Sequence, residues 1–226
     1  MEERKGWRCL WVLWMVVVAG GCASEEKGLA TRPAFEREIE AFEAADRVAR
    51  PPRDAVLFVG SSSIRMWKSL AEDFPDHVVI NRAFGGSTIG DCVRYADRIV
   101  IPYRPKRIVL YAGDNDIAKG MTPERVAADF REFVEKVRKG LPEVAIDYIS
   151  IKPSLARWGL VEKMRQANGL TEAYAKETKG VGYIDVFGPM LGEEGKPRRE
   201  LFVADGLHLS RKGYELWGGI MRGRIR

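Results

Sequence analysis

Five apolar runs of strand length, at 55–59, 78–81, 108–111, 145–151 and 182–186, recur along this chain, and segments of helical period separate them. No other feature constrains the fold as strongly. Strands connected through helices lie parallel, because a tight hairpin cannot return the chain to the edge from which it left. The first run, Ala55-Val56-Leu57-Phe58-Val59, is apolar at every position, which predicts a strand buried on both faces. A parallel sheet covered on both sides follows.

The intervening segments supply the cover. Phe35, Ile39 and Phe42 recur at helical spacing over 33–48, with Pro33 expected in the first turn. A second helix carries Ile89, Val93 and Ala96 and closes near residue 100. Thr122-Pro123-Glu124 has the cap and first-turn proline of a helix start, and Val126, Phe130, Phe133, Val134 and Val137 form its stripe up to Gly140. Further helices are expected at 160–179 and 210–221. With 226 residues, 46% hydrophobic and without repeats, the chain suits one domain. The expected fold class is α/β, a three-layer α/β/α sandwich around a five-stranded parallel sheet, and right-handed crossovers favour a flavodoxin-like strand order. The net charge of +5 is spread rather than gathered into a basic stripe, so no nucleic-acid partner is expected.

The N-terminus has a different logic. Arg4, Lys5 and Arg8 precede an apolar run at 10–19, which is short of the roughly 20 residues of a spanning helix and reads as an export signal. The sequence Gly20-Gly21-Cys22 resembles the lipobox of bacterial lipoproteins, which implies cleavage before Cys22 and a lipid on that residue. The expected division is a signal peptide at 1–21, a lipidated tether at 22–32 and one folded domain at 33–226. The protein is then expected outside the cytoplasm, anchored by lipid to a bacterial membrane, or secreted or periplasmic after ordinary signal cleavage. Cys92 is the one cysteine of the body, so no internal disulfide is expected and a packing role suits it.

The chemistry-bearing residues follow the strands. Gly60-Ser61-Ser62-Ser63 comes after the first, Gly85-Gly86 after the second, Gly113-Asp114-Asn115-Asp116 after the third, and Asp205 with His208 after the fifth. In a parallel sheet these ends share one edge. A serine hydroxyl becomes nucleophilic only beside a base, and histidine is the side chain suited to that near neutrality. Of the two histidines, His77 precedes a strand and falls at the opposite edge, where it reads as a solvated surface residue. His208 is therefore the candidate base, and Asp205, three residues earlier, is placed to bind its Nδ1 proton. Asn115 offers an amide, and Gly86 and Ser62 offer backbone N–H groups, for a developing oxyanion. Asp114 and Asp116 read as loop and capping acceptors. Arg157, Trp158 and Met164, beyond the fourth strand, are candidates to border the crevice, and Trp158 suits ordinary packing at least as well as stacking on a sugar ring. One nearby histidine without a cysteine pair is a poor metal set, so neither metal nor cofactor is expected.

Gly60-Ser61-Ser62, Gly86, Gly113-Asp114-Asn115-Asp116 and Asp205-Gly206-Leu207-His208 resemble, in order, the four blocks of the SGNH hydrolases, the GDSL-type esterases. The resemblance implies Ser62 as nucleophile, His208 as base, Asp205 as its orienter, and Ser62, Gly86 and Asn115 as the oxyanion hole. The first block departs from the family, with Ser61 where an aspartate is usual and Ser63 where an aliphatic residue is usual; position relative to Gly60 favours Ser62 among the three serines. The implied activity is serine-dependent ester hydrolysis through an acyl-enzyme, on acetylated carbohydrate or on lysophospholipid, and short acyl chains are expected because the sequence has no long apolar lid segment. Acyl transfer from the same site and non-catalytic glycan or lipid binding are the alternatives.

Overall fold

The computed structural model describes residues 33–225, so the signal at 1–21, Cys22 and the tether at 22–32 lie outside the described residues. The chain divides after Pro33, and one unit begins at Ala34. Helix α1 (Glu36–Val48) leads to strand β1 (Val56–Gly60), the short helices α2 (Ser62–Arg65) and α3 (Leu70–Asp73), and β2 (Val79–Asn81). Helix α4 (Ile89–Ile99), β3 (Arg107–Tyr111), α5 (Asp114–Ala118) and α6 (Pro123–Gly140) follow. Strand β4 (Ala145–Ile149), α7 (Val161–Glu177), β5 (Val181–Ile184) and α8 (Arg211–Arg222) complete the body. The five strands pair in parallel in the order β2-β1-β3-β4-β5, the arrangement expected from right-handed crossovers.

Alternation along the strands divides the interior in two. Leu57, Val59, Ile108, Leu110, Ile146 and Tyr148 face one cluster, which α1, α4, α6 and α7 complete. Val56, Phe58, Val109, Tyr111 and Ile149 face the other, where α8 contributes Tyr214, Trp217 and Met221 and the segment after β1 contributes Trp67, Leu70 and Phe74. Each fully buried side chain of this size is worth roughly 1.5–3 kcal/mol. The second cluster bears directly on function. Trp67 stacks on Tyr214 at 5.1 Å, and the Tyr214 hydroxyl donates to the Ser63 carbonyl at 2.9 Å, so α8 grips the turn that carries the three serines.

Local chemistry sets most boundaries where the residues predict them. Thr88 and Asp91 form a reciprocal capping box at the start of α4. Thr122 caps α6 by accepting from Arg125 N, and Ser210 caps α8 by accepting from Gly213 N. The start of α1 departs from expectation. It begins at Glu36 rather than at Pro33, because Phe35 adopts the left-handed region, with φ 68°, and sets its ring edge-on to Phe84 at 5.1 Å. Strand β4 stops at Ile149 rather than at residue 151, since the Ile151 backbone pairs with the Asn168 side chain instead of a strand.

Candidate active site

Strand β1 ends at a residue that has to be glycine. Gly60 has φ 130°, and a Cβ there would stand 1.9 Å from the Tyr111 carbonyl oxygen of β3. The close approach lets Ser61 N donate to that oxygen at 2.9 Å, and the chain then enters α2 with Ser62 as its first residue. Ser62 is half-buried, whereas the Ser61 and Ser63 hydroxyls are buried without a partner among the described residues. Among the described residues, Ser62 Oγ is the serine hydroxyl of the three that meets the imidazole.

His208 Nε2 lies 3.0 Å from Ser62 Oγ, and His208 Nδ1 lies 2.6 Å from Asp205 Oδ2. The other Asp205 oxygen accepts from Leu207 N at 2.8 Å and His208 N at 2.9 Å, so the short turn holds the carboxylate and the ring in one geometry. These bonds, first that from the imidazole and then those from the two backbone N–H groups, hold the Asp205 carboxyl down to about 2. An ionised carboxylate only accepts, so Nδ1 bears the proton and Nε2 presents its lone pair to Ser62. That arrangement can draw the hydroxyl proton and leave a nucleophilic oxygen.

The neighbouring loops are tied to the same turn. Ser87 Oγ donates to the Gly60 carbonyl at 3.0 Å, and Phe84 N donates to it at 2.9 Å. Gly86 is exposed with φ 82°, and nothing lies within 4 Å of a Cβ built there, so backbone angle rather than space accounts for glycine at that position. Asn115 Nδ2 donates to the Ser87 carbonyl at 3.0 Å, which brings the asparagine against the Gly86 loop. As the first residue of a helix, Ser62 has an N–H with no intrahelical acceptor. Residues from the ends of β1, β2, β3 and β5 therefore converge on one sheet edge, as the parallel topology requires.

Three of the residues singled out in the sequence have other surroundings than expected. Asp114 is no loop acceptor but a buried ion pair. Its Oδ2 lies 3.0 Å from Lys152 Nζ and 3.2 Å from Arg157 Nη1. Burial pushes its carboxyl up, but the two cations outweigh that and hold it below its usual value. Met164 is 1% exposed and packs in the helix-covered core, so it does not border the crevice. His77 is half-buried, and its Nε2 lies 2.9 Å from the Ile225 carbonyl, which makes it a tie for the C-terminal segment rather than a solvated residue. Trp158 is half-buried in a one-turn helix, Trp158–Leu160. Asp116 does cap, accepting from Ile89 N at the start of α4, and burial with the nearby charges of Asp114 and Asp129 pushes its carboxyl up to about 6.

Two residues at this edge carry contacts that the sequence did not reveal. Lys152, 1% exposed, also donates to the Tyr111 hydroxyl at 3.1 Å. Arg157 Nη2 donates to Asn115 Oδ1 at 3.0 Å. The available signal was a lysine followed by Pro153 immediately beyond a buried strand, where a charged residue needs a partner.

Comparison with known proteins bears on the family and the fold. The profile of the GDSL-like Lipase/Acylhydrolase family matches residues 55–216, which is well over half of the chain. No curated protein matches the sequence. Among solved structures, a Streptococcus pneumonia protein provisionally described as a platelet activating factor is similar, with a TM-score of 0.76 and 21% identity over 84% of this chain and 92% of that one. A GDSL-like lipase from Bacteroides thetaiotaomicron gives 0.72 and 20% identity over 83% and 96%. A lipase/acylhydrolase from Enterococcus faecalis gives 0.56 and 22% identity over 76% and 97%. These likenesses bear on the fold, and the family match carries the assignment. With a family profile that runs from the first strand into the last helix, the chain belongs to the GDSL-like lipase/acylhydrolase family and is an ester hydrolase.

Proposed function

We propose that Ser62 attacks carboxylic esters of short acyl groups to form an acyl-enzyme that water then hydrolyses. The observation that carries this reading is the continuous chain from Ser62 Oγ through His208 to Asp205, with contacts of 3.0 and 2.6 Å. His208 Nε2 takes the Ser62 proton as Oγ bonds to the carbonyl carbon, and the carbonyl electron pair moves to its oxygen. The Ser62 and Gly86 N–H groups and Asn115 Nδ2 receive that oxyanion. Collapse expels the alcohol, which takes the proton from His208, and a water deprotonated by the same nitrogen releases the acid. Asp205 remains ionised throughout and balances the imidazolium.

Exposure of the site supports the choice of acceptor and of acyl length. The side chains of Asp205 and His208 are 47% and 24% exposed, so water has ready access to an acyl-enzyme, which favours hydrolysis over transfer. An open edge of this kind suits a small acyl group carried on a larger leaving group, as in an acetylated sugar, and a lysophospholipid with its single long chain is the alternative that a profile over acyl length separates. The export signal and Cys22 support a working place outside the cytoplasm, with the domain tethered to a membrane by lipid. The Ser62→Ala variant is expected to lose nearly all hydrolysis of short-chain aryl esters and all labelling by a serine-directed organophosphonate. Full activity in that variant would refute the assignment. A profile over acyl length with acetate release from acetylated sugars identifies the substrate, and mass analysis of the cellular protein for a lipid on Cys22 tests the anchor.

A further inference from the structure

Asn115 is held by two groups that dictate which way its amide faces. Arg157 has only donors, so the atom 3.0 Å from its Nη2 is the amide oxygen. The Ser87 carbonyl only accepts, so the atom 3.0 Å from it is the nitrogen. Nδ2 bears two hydrogens, and Ser87 takes one. A flipped amide would set its nitrogen against a guanidinium and its oxygen against a carbonyl, two repulsive contacts at once, in a residue only 8% exposed.

Arg157 is itself fixed. Its Nη1 lies 3.2 Å from Asp114 Oδ2, and the same carboxylate oxygen binds Lys152 Nζ at 3.0 Å. One guanidinium therefore engages two successive residues of α5 as a fork, Asp114 by charge and Asn115 by its amide. The loop that carries Arg157 also reaches the other half of the site. Ala156 N donates to the Gly206 carbonyl at 3.1 Å, within the Asp205–His208 turn. The oxyanion side and the base side thus share a support through residues 156 and 157.

We infer that Arg157 is a positioning residue, which locks the Asn115 amide with Nδ2 toward the crevice so that its second N–H is ready for the oxyanion. The inference rests on the proposed role of Asn115. Because the amide contributes most when negative charge develops, its loss of orientation lowers kcat more than it raises KM.

The test is a double-mutant cycle in the full chain on a short aryl ester, with Arg157→Met, Asn115→Ala and both together. Met keeps the length of the side chain and removes the donors. R157M is expected to lower kcat roughly 10- to 100-fold with KM within about two-fold, the scale of a misplaced catalytic group. In the N115A background the same replacement is expected to change kcat by less than about three-fold, because no amide remains to orient. Unchanged kcat in R157M, or an equal loss with and without Asn115, would overturn the inference. Should R157M not fold, Arg157→Lys carries the test, since it retains a charge beside Asp114 but not the fork; full kcat there also overturns it. Absence of ester hydrolysis by the unmodified protein would instead count against the proposed function and is read first.

Discussion

Replacing Asp205 with asparagine separates the orienting role of this residue from its role in the turn. In the protein, Oδ1 accepts from Leu207 N and His208 N, and Oδ2 accepts from His208 Nδ1 at 2.6 Å. Asparagine can keep its oxygen on the two backbone donors, which leaves its NH2 facing Nδ1. Two donors cannot pair, so the imidazole shifts its proton to Nε2, the nitrogen 3.0 Å from Ser62 Oγ, and can no longer accept the hydroxyl proton. In serine proteases the analogous change costs roughly 10⁴ in kcat. Here the aspartate side chain is 47% exposed and the histidine 24%, so water competes for Nδ1 and restores part of the productive tautomer. The expected loss is therefore smaller, roughly 10²–10³ in kcat, or about 3–4 kcal/mol of transition-state stabilisation. Asp205→Ala gives the contrast. It removes both backbone bonds and costs about 1–2 kcal/mol of stability, yet it leaves the ring free to take either tautomer, so its kcat is expected to equal or exceed that of D205N. The assay is kcat on a short aryl ester for both variants, with urea unfolding to rank their stability. Activity near that of the unmodified protein in D205N, or a folded D205A far less active than D205N, would refute the tautomer argument. Because Asp205 titrates near 2, loss of activity on acidification toward pH 5 does not arise from this carboxyl.

Two further outcomes concern stability. Gly60→Ala places a Cβ 1.9 Å from a backbone oxygen at φ 130°, and a loss of at least about 3 kcal/mol is expected in urea unfolding, against a prediction of little change if β1 and β3 can separate there. Asp116 has a folded-state value of about 6 against 3.8 unfolded, so between those values the native state holds the extra proton and stability falls as pH rises. The shift amounts to about 3 kcal/mol, and Asp116→Asn is expected to remove up to that much of the difference in unfolding free energy between pH 4 and pH 7. An unaltered pH dependence in D116N would show that this carboxyl is not held protonated.

The parallel sheet and its order were legible because they follow from local rules. Continuous apolar runs alternate with helical stripes, and chirality then leaves few arrangements. The helix starts at Thr122 and Ser210 were legible for the same reason, since a cap involves neighbours in sequence. The left-handed Phe35 was not, because only contact with Phe84, far along the chain, selects it. The short helix α5 was hidden too, because Asp114 and Asp116 read as loop and capping acceptors until Lys152 and Arg157 are known to pair with Asp114.

The sequence by itself determined which residue types stand at the ends of the strands, and parallel topology then obliges them to share an edge. Order along the chain is enough for that step, because every strand points the same way. Position relative to Gly60 already favoured Ser62 among the three serines, but only the tertiary structure shows where each hydroxyl points. All three have the same chemistry and adjacent positions, and the difference between them is direction. The Ser61 and Ser63 hydroxyls turn inward and find no partner among the described residues, while Ser62 faces an imidazole 146 residues later in the chain. The same holds for the half-buried Arg157, which meets Asp114 by charge and Asn115 by a hydrogen bond, since no local pattern records which distant donor an amide oxygen meets.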